Sequence, residues 1–230
     1  QRYDVQANKG SRVLYLVEIK TGATRALTDP DETSSDAEFK PDGKKIGFLR
    51  GGKMYEVNTD GPSMTGQVSD LEINGFHYSP DGKSVLFAQD VKLDQNTADR
   101  YPELPKASGR ISDGLLYRHW KSWHDYAYSN VFYVDYRDGK FSGAPINIQG
   151  GERFDSPLTP DGGMEQITWS PDGRWIIYTC RKLNGTAEAR STNSDLYAYE
   201  IASGKTLNFT QLNPGCDRDP VFSPDGKSLL

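Results

Sequence analysis

One phrase returns four times along the chain: "AEFKPDGKKIGFL" from Ala37, "FHYSPDGKSVLFA" from Phe76, "ITWSPDGRWIIYT" from Ile167 and "PVFSPDGKSLL" from Pro220. Each copy places an aromatic residue (Phe39, Tyr78, Trp169, Phe222) and then Ser or Lys before Pro-Asp-Gly, a basic residue and a β-rich run. An apolar or small residue two positions earlier (Ala37, Phe76, Ile167, Pro220) shares one face of a strand with that aromatic. Proline presets φ at the first central turn position and aspartate tolerates the second. Glycine takes the positive φ that sends the chain back as an antiparallel strand. Each phrase therefore predicts a hairpin, and four hairpins of one design confine the chain to a repeat fold.

A second hairpin follows each phrase. "LYLVEIKTGATRALT" (Leu14–Thr28) and "DLYAYEIASGKTLNFT" (Asp195–Thr210) show it most plainly, with "KMYEVNTDG" from Lys53 and "NVFYVDYRDGK" from Asn130 as looser versions. Two hairpins make four strands per unit. The shortest unit, Pro41 to Pro80, is 39 residues long, close to the roughly 40–45 of a propeller blade. The expected fold is all-β, a partial β-propeller with about four four-stranded blades. Residues 1–28 are expected to give the last three strands of one blade. Residues 36–69, 74–149 and 164–210 give three full blades, and residues 217–230 begin another. An inserted loop or short helix occupies about 90–129. The chain reads as starting and stopping inside a blade, hence as a stretch of a longer protein that folds poorly alone. "TPDGGM" at Thr159 imitates the phrase without a following β-rich run.

Successive blade strands run antiparallel. Links from the first to the second strand and from the third to the fourth therefore share one face, and the remaining links share the other. The first set is tight. The second is long: residues 29–36, 90–129, 150–165, 181–194 and 211–217. Function is expected on this elaborated face. It carries "GLLYRHWKSWHDYAYSN" (residues 114–130) and "GGMEQ" (Gly162–Gln166).

Several chemistries are disfavoured. No Lys/Arg block marks a nucleic-acid surface, and no apolar run approaches membrane-spanning length. No Gly-rich phosphate loop, Gly-x-Ser-x-Gly elbow or arguable Ser/His/Asp set is present, so no catalytic residue and no cofactor is assigned. His119 and His124, five apart, would not share a helix face, so no metal site is expected. The pairing of Cys180 with Cys216 is left open. Tyr117, Trp120 and Trp123, spaced by three, predict a short inserted helix packed through one face. Direct substrate contact by Arg118, His119 or Trp123 is the competing reading. Glu165 is read either as the anchor of a cationic group, such as a peptide's free amine, or as a solvated cap of backbone donors. Arg153 and Asp155 are expected to pair with each other.

"LLYRHWKSW", "GGMEQITWSPDGRWIIYTCRK", "STNSDLYAYEIASGKT" and "PVFSPDGK" resemble the propeller of bacterial dipeptidyl-peptidase V and acylaminoacyl-peptidase-like enzymes of the prolyl oligopeptidase family. The resemblance implies that residues 1–230 are a partial propeller preceding a C-terminal α/β-hydrolase domain that holds the catalytic triad. It implies a secreted serine exopeptidase of the periplasm or cell surface, which releases dipeptides or acyl-amino acids from peptide N-termini. The propeller would be its substrate gate. Peptide substrates and the hydrolase domain are the implied partners, and a homodimer is left open. By the same resemblance, Glu165 matches the propeller glutamates that hold a substrate amine. The rival is a non-enzymatic TolB-type periplasmic propeller that binds protein partners.

Overall fold

The computed structural model describes every residue except 1, 62–63, 113, 115–116 and 120. The chain opens with a two-stranded hairpin, β1 (Arg2–Asp4) and β2 (Lys9–Ser11), followed by a second pair, β3 (Tyr15–Val17) and β4 (Thr24–Ala26). Three four-stranded antiparallel sheets succeed them. Blade I is β5 (Ser35–Phe39), β6 (Lys45–Arg50), β7 (Lys53–Asn58) and β8 (Thr65–Gln67), hydrogen-bonded in chain order. Blade II takes β9 (Gly75–Tyr78) and β10 (Ser84–Lys92). It resumes, after an insertion, with β13 (Ala127–Arg137) and β14 (Lys140–Asn147), in the order β14-β13-β10-β9. The insertion contains helix α1 (Thr97–Arg100) and the short strands β11 (Arg118–His119) and β12 (Ser122–Trp123). Blade III is β15 (Ile167–Trp169), β16 (Trp175–Cys180), β17 (Asp195–Glu200) and β18 (Lys205–Asn208), with helix α2 (Thr186–Arg190) between its second and third strands. This is the blade architecture of a β-propeller, as the repeat predicts.

The four Pro-Asp-Gly turns adopt the expected geometry: Gly43, Gly82, Gly173 and Gly226 have φ of +68°, +67°, +70° and +69°. Serine adds a hydrogen-bond cage in three copies. Ser170 Oγ donates to Asp172 Oδ1 at 2.6 Å and accepts the Trp175 N–H at 2.9 Å, while Asp172 accepts the Arg174 N–H at 3.0 Å. Ser79 with Asp81, and Ser223 with Asp225, repeat the pattern. The serine hydroxyl is the main influence holding each aspartate below the usual carboxylate range. In the first copy Lys40 replaces serine and pairs with Asp42 at 3.8 Å.

Two compact units emerge: Gln1–Phe87 with Tyr133–Ile146, and Ala88–Phe132 with Asn147–Leu230. In the first, Leu14 and Leu16 cover a core of Leu27, Ile46, Phe48 and Val57. Gly47 lies where a Cβ would come within 2.5 Å of the Tyr78 hydroxyl and 2.9 Å of the Phe76 ring, so its missing side chain admits those aromatics. Behind them sits Glu56, whose Oε1 accepts Tyr78 at 2.7 Å and Tyr136 at 2.5 Å and whose Oε2 meets Lys45 at 2.9 Å. In the second unit, Trp175, Phe222 and Leu229 pack on Ile177, Leu196 and Ala198. The central strands bury residues on both faces: Val85, Leu86, Phe87 and Ala88 are fully buried, and so are Ile176 and Cys180.

Two expectations change. Residues 1–28 form two separate pairs rather than three strands of one sheet. Asp4 closes a tight β1–β2 turn by accepting the Gln6 and Ala7 N–H groups, which turns β1 and β2 onto each other. The run 117–123 is a hairpin, not a helix: Arg118 pairs with Trp123 and His119 with Ser122. Cross-strand contact of a guanidinium with an indole favours this ladder. Trp120 lies outside the described residues. Cys180 and Cys216 are both free thiols; burial pushes the Cys180 thiol up to about 12.

Candidate functional site on the elaborated face

The long links of the second unit converge through side chains that no local motif announces. The insertion leaves and returns at one point, since the Leu93 and Asp94 N–H groups both donate to the Tyr126 carbonyl, at 3.1 and 3.2 Å. Tyr126 is at φ +69°, a left-handed conformation a tyrosine adopts only under surrounding constraint. Its hydroxyl supplies one such constraint by donating to the Ile111 carbonyl at 3.3 Å. Beyond this root, α1 is closed by a capping box in which Asn96 and Asp99 accept each other's N–H.

Asp94 is the hub of the root. Arg153, from the 150–165 link, donates from Nε to Asp94 Oδ1 at 2.6 Å and from Nη2 to the Leu93 carbonyl at 3.1 Å. Tyr128 donates to Asp94 Oδ2 at 2.8 Å. Burial works against ionisation of Asp94, but these two donors and the guanidinium charge together hold its carboxyl below the usual range. Arg153 thus pairs with Asp94 and not with Asp155, because the root of the insertion brings a carboxylate to it that sequence distance concealed. Asp155 instead accepts the Ser129 N–H at 2.8 Å and the Thr159 hydroxyl, and burial still pushes its carboxyl up.

His124 stands among these groups. Its ring centre is 5.0 Å from that of Tyr128 and 6.1 Å from that of Tyr126. Nε2 is enclosed without a hydrogen-bond partner among the described residues. It lies within electrostatic reach of Asp94, Asp155 and Glu188 of α2. Burial raises the Glu188 carboxyl, with Asp155 adding to that and Arg181 and His124 opposing it. Insertion, 150–165 link and α2 therefore meet in one field of mixed charge.

The tip of the insertion carries three of the residues singled out from sequence. Arg118 and Trp123 come together, guanidinium carbon to indole centre 5.3 Å, and Arg110 approaches the same indole at 5.7 Å. Tyr117 stacks on Trp123 at 5.9 Å and 26°. His119 takes its backbone place in β11 opposite Ser122; its side chain lies outside the described residues. Glu165, in the single 3₁₀ turn Met164–Gln166, is exposed and accepts the Gly163 N–H at 2.7 Å. Its carboxylate is turned onto its own link, as the capping alternative describes. Asp94, Arg110, Tyr128 and Glu188 were not singled out from sequence, where only the length and aromatic density of the run pointed to this region. Among the described residues no group of three or more His, Cys, Asp or Glu is placed to hold a metal ion, and no helix is long and apolar enough to cross a membrane. The arrangement gathers charges of both signs at the root of the insertion.

No family model matches the chain. Over 231 aligned residues it is 40% identical to dipeptidyl-peptidase 5 of Porphyromonas gingivalis, covering 98% of this chain and 34% of that protein. Among solved structures it is similar to the acylaminoacyl peptidase of Pyrococcus horikoshii (TM-score 0.62, 13% identity, 91% of this chain and 30% of that one). It is also similar to TolB of Acinetobacter baumannii (TM-score 0.54, 16% identity, 94% of this chain and 42% of that one). At these identities the two structures speak for the fold alone. The chain spans about a third of the length of the curated relatives it matches.

Proposed function

From the premise that this chain is a homologue of the dipeptidyl-peptidase 5 proteins along nearly its whole length, we propose that it is the propeller portion of a secreted serine exopeptidase. In this reading a C-terminal α/β-hydrolase domain of the longer protein performs the hydrolysis. The propeller gates the substrate and recognises its N-terminus, and dipeptides or acyl-amino acids are released. The observation that carries the reading is the 40% identity across 98% of the chain. The elaborated face supports it by gathering charged groups from three links. Glu165, Arg118, His119 and Trp123 are the substrate contacts, with Glu165 exposed to meet a peptide's α-ammonium. Periplasmic or cell-surface location follows from the same reading; cell fractionation that found the protein in the cytoplasm would sink that part.

The test uses the full-length protein and two substrate sets, dipeptidyl derivatives with a free amine and the same compounds with the amine blocked. Glu165→Gln keeps the shape and removes the charge. The expected loss is about tenfold to 150-fold in kcat/KM on free-amine substrates and none on blocked ones. Equal loss on both sets, or no loss, would return Glu165 to capping Gly163. Absence of hydrolysis of either set by the unmodified protein would reject the peptidase reading. It would favour the TolB-type alternative, a propeller that binds protein partners.

A further inference from the structure

The insertion between β10 and β13 is an arm braced within itself. Thr97 donates to the Gly109 carbonyl at 2.6 Å. Arg110 donates to the His124 carbonyl and Tyr126 to the Ile111 carbonyl, each at 3.3 Å. The His124 N–H reaches the Tyr117 carbonyl at 3.0 Å, and the Tyr117 ring stacks on Trp123. An arm so braced, and closed at one root by the Tyr126 carbonyl, behaves as a lever whose direction is set by what grips the root. Arg153 supplies that grip. Its fork places Nε on Asp94 and Nη2 on the Leu93 carbonyl, while Tyr128 holds the other Asp94 oxygen. Two bonds from one planar group fix an angle, which a single ammonium would not. The base of the grip is fixed in turn. The Ser129 N–H donates to Asp155 and the Ser156 N–H to the Ser129 carbonyl, both at 2.8 Å. From there the link reaches Glu165 through Leu158, whose N–H donates to Oε1 of Gln166 at 2.8 Å, and Gln166 is 2% exposed. Arg153 therefore stands between the tip of the arm and Glu165.

Resting on the peptidase reading above, we propose that Arg153 is a positioning residue for the substrate: it locks the arm to the link that carries Glu165, and so sets the spacing between Glu165 and the contacts at the tip, Arg118 and Trp123. The side chains of Arg153 and Asp94 are 58% and 31% exposed, so water screens their attraction and the pair adds little to stability. Its effect is one of aim. A substrate that meets both the tip and Glu165 gains from contacts whose spacing is set before it arrives.

The full-length protein is assayed by steady-state hydrolysis of short peptides with a free amine, beside a thermal melt of each variant. Arg153→Ala should raise KM about fivefold to fiftyfold and leave kcat within about twofold, because binding is what is lost. Its melting temperature should move by no more than a few degrees. Asp94→Ala should raise KM likewise, and the double variant should be no worse than either single one, since both act through one contact. Losses that add would mean that Arg153 touches the substrate by itself, and would overturn the proposal. Arg153→Lys keeps the charge without the fork and should stay close to Arg153→Ala. Full recovery with lysine would show that charge and not a fixed angle matters, which overturns it too. A fall in kcat and melting temperature together, with KM unchanged, would reduce the pair to holding the fold. Unchanged kinetics in both single variants would reject the positioning role and leave the peptidase reading intact. No hydrolysis by the unmodified protein would reject the peptidase reading, and the role of Arg153 in it would fall as well.

Discussion

Glu56 is 3% exposed, and it is held there by two phenols and one ammonium group from well-separated stretches of chain. Burial, followed by the charge of Glu56 and its hydrogen bond, raises both Tyr78 and Tyr136 far above the ordinary phenol range (for Tyr136 the hydrogen bond outweighs the charge), so each remains a donor at any physiological pH. Removing the carboxylate strands two buried hydroxyls and Lys45 together. Glu56→Ala should therefore cost about 3–5 kcal/mol. Glu56→Gln keeps an acceptor for the phenols and loses mainly the pairing with the half-exposed Lys45, so its cost should be about 1–2 kcal/mol. Urea melts of both variants check the order. Equal costs would mean that shape, and not hydrogen bonding, matters at this point.

The Pro-Asp-Gly hairpin is the element that the serine cage reinforces. Ser79 and Ser170 are 4% and 5% exposed, so Ser→Ala at either position removes the acceptor of a buried-side N–H and the donor to the turn aspartate. Each should cost about 1–2 kcal/mol. Asp81 and Asp172 titrate below their unfolded value in the cage. Their contribution is intact above the ordinary aspartate range and fades as pH falls through the lowered one. They are solvent-screened, so the effect per turn is small. Without the cage that contribution is gone, and Ser79→Ala and Ser170→Ala proteins should unfold at higher pH on acidification, followed by far-ultraviolet circular dichroism. An unchanged acid limb would show that the turn aspartates carry no such linkage.

These hairpins were legible in the sequence because everything they need lies within a dozen residues: proline for φ, glycine for its return, and alternation for the faces. Glu56 was not, since its partners Tyr78 and Tyr136 lie 22 and 80 residues away. The arm was misread for a related reason. A spacing of three between aromatics describes a helix face, but Tyr117 and Trp123 also meet when Arg118 pairs with Trp123 across a ladder, and only the ladder distinguishes the two. Asp94 and Arg153, 59 residues apart, are joined by the closing of the insertion root and leave no local trace. Of the site residues singled out, Arg118 and Trp123 do come together, while Glu165 turns onto Gly163.

At the scale of the whole molecule, β10 and β13 run for nine and eleven residues where the corresponding strands of blade III run for six. The extra length is a ribbon leading out to the arm, and its two rails meet again where Leu93 and Asp94 share the carbonyl of Tyr126. Entry and exit coincide, so the arm is a detachable cassette. Replacing residues 95–125 by Asn-Gly would close the ribbon as an ordinary hairpin and leave the strand order of blade II unchanged. The trimmed protein should melt within a few degrees of the original, because closure entropy changes only slowly with loop length. A collapse of the melting temperature by more than about 10 °C would show that the cassette is welded into the fold. A scaffold with one such point of exchange can have its recognition rewritten by a single recombination event. Nothing in the blades would need to mutate alongside.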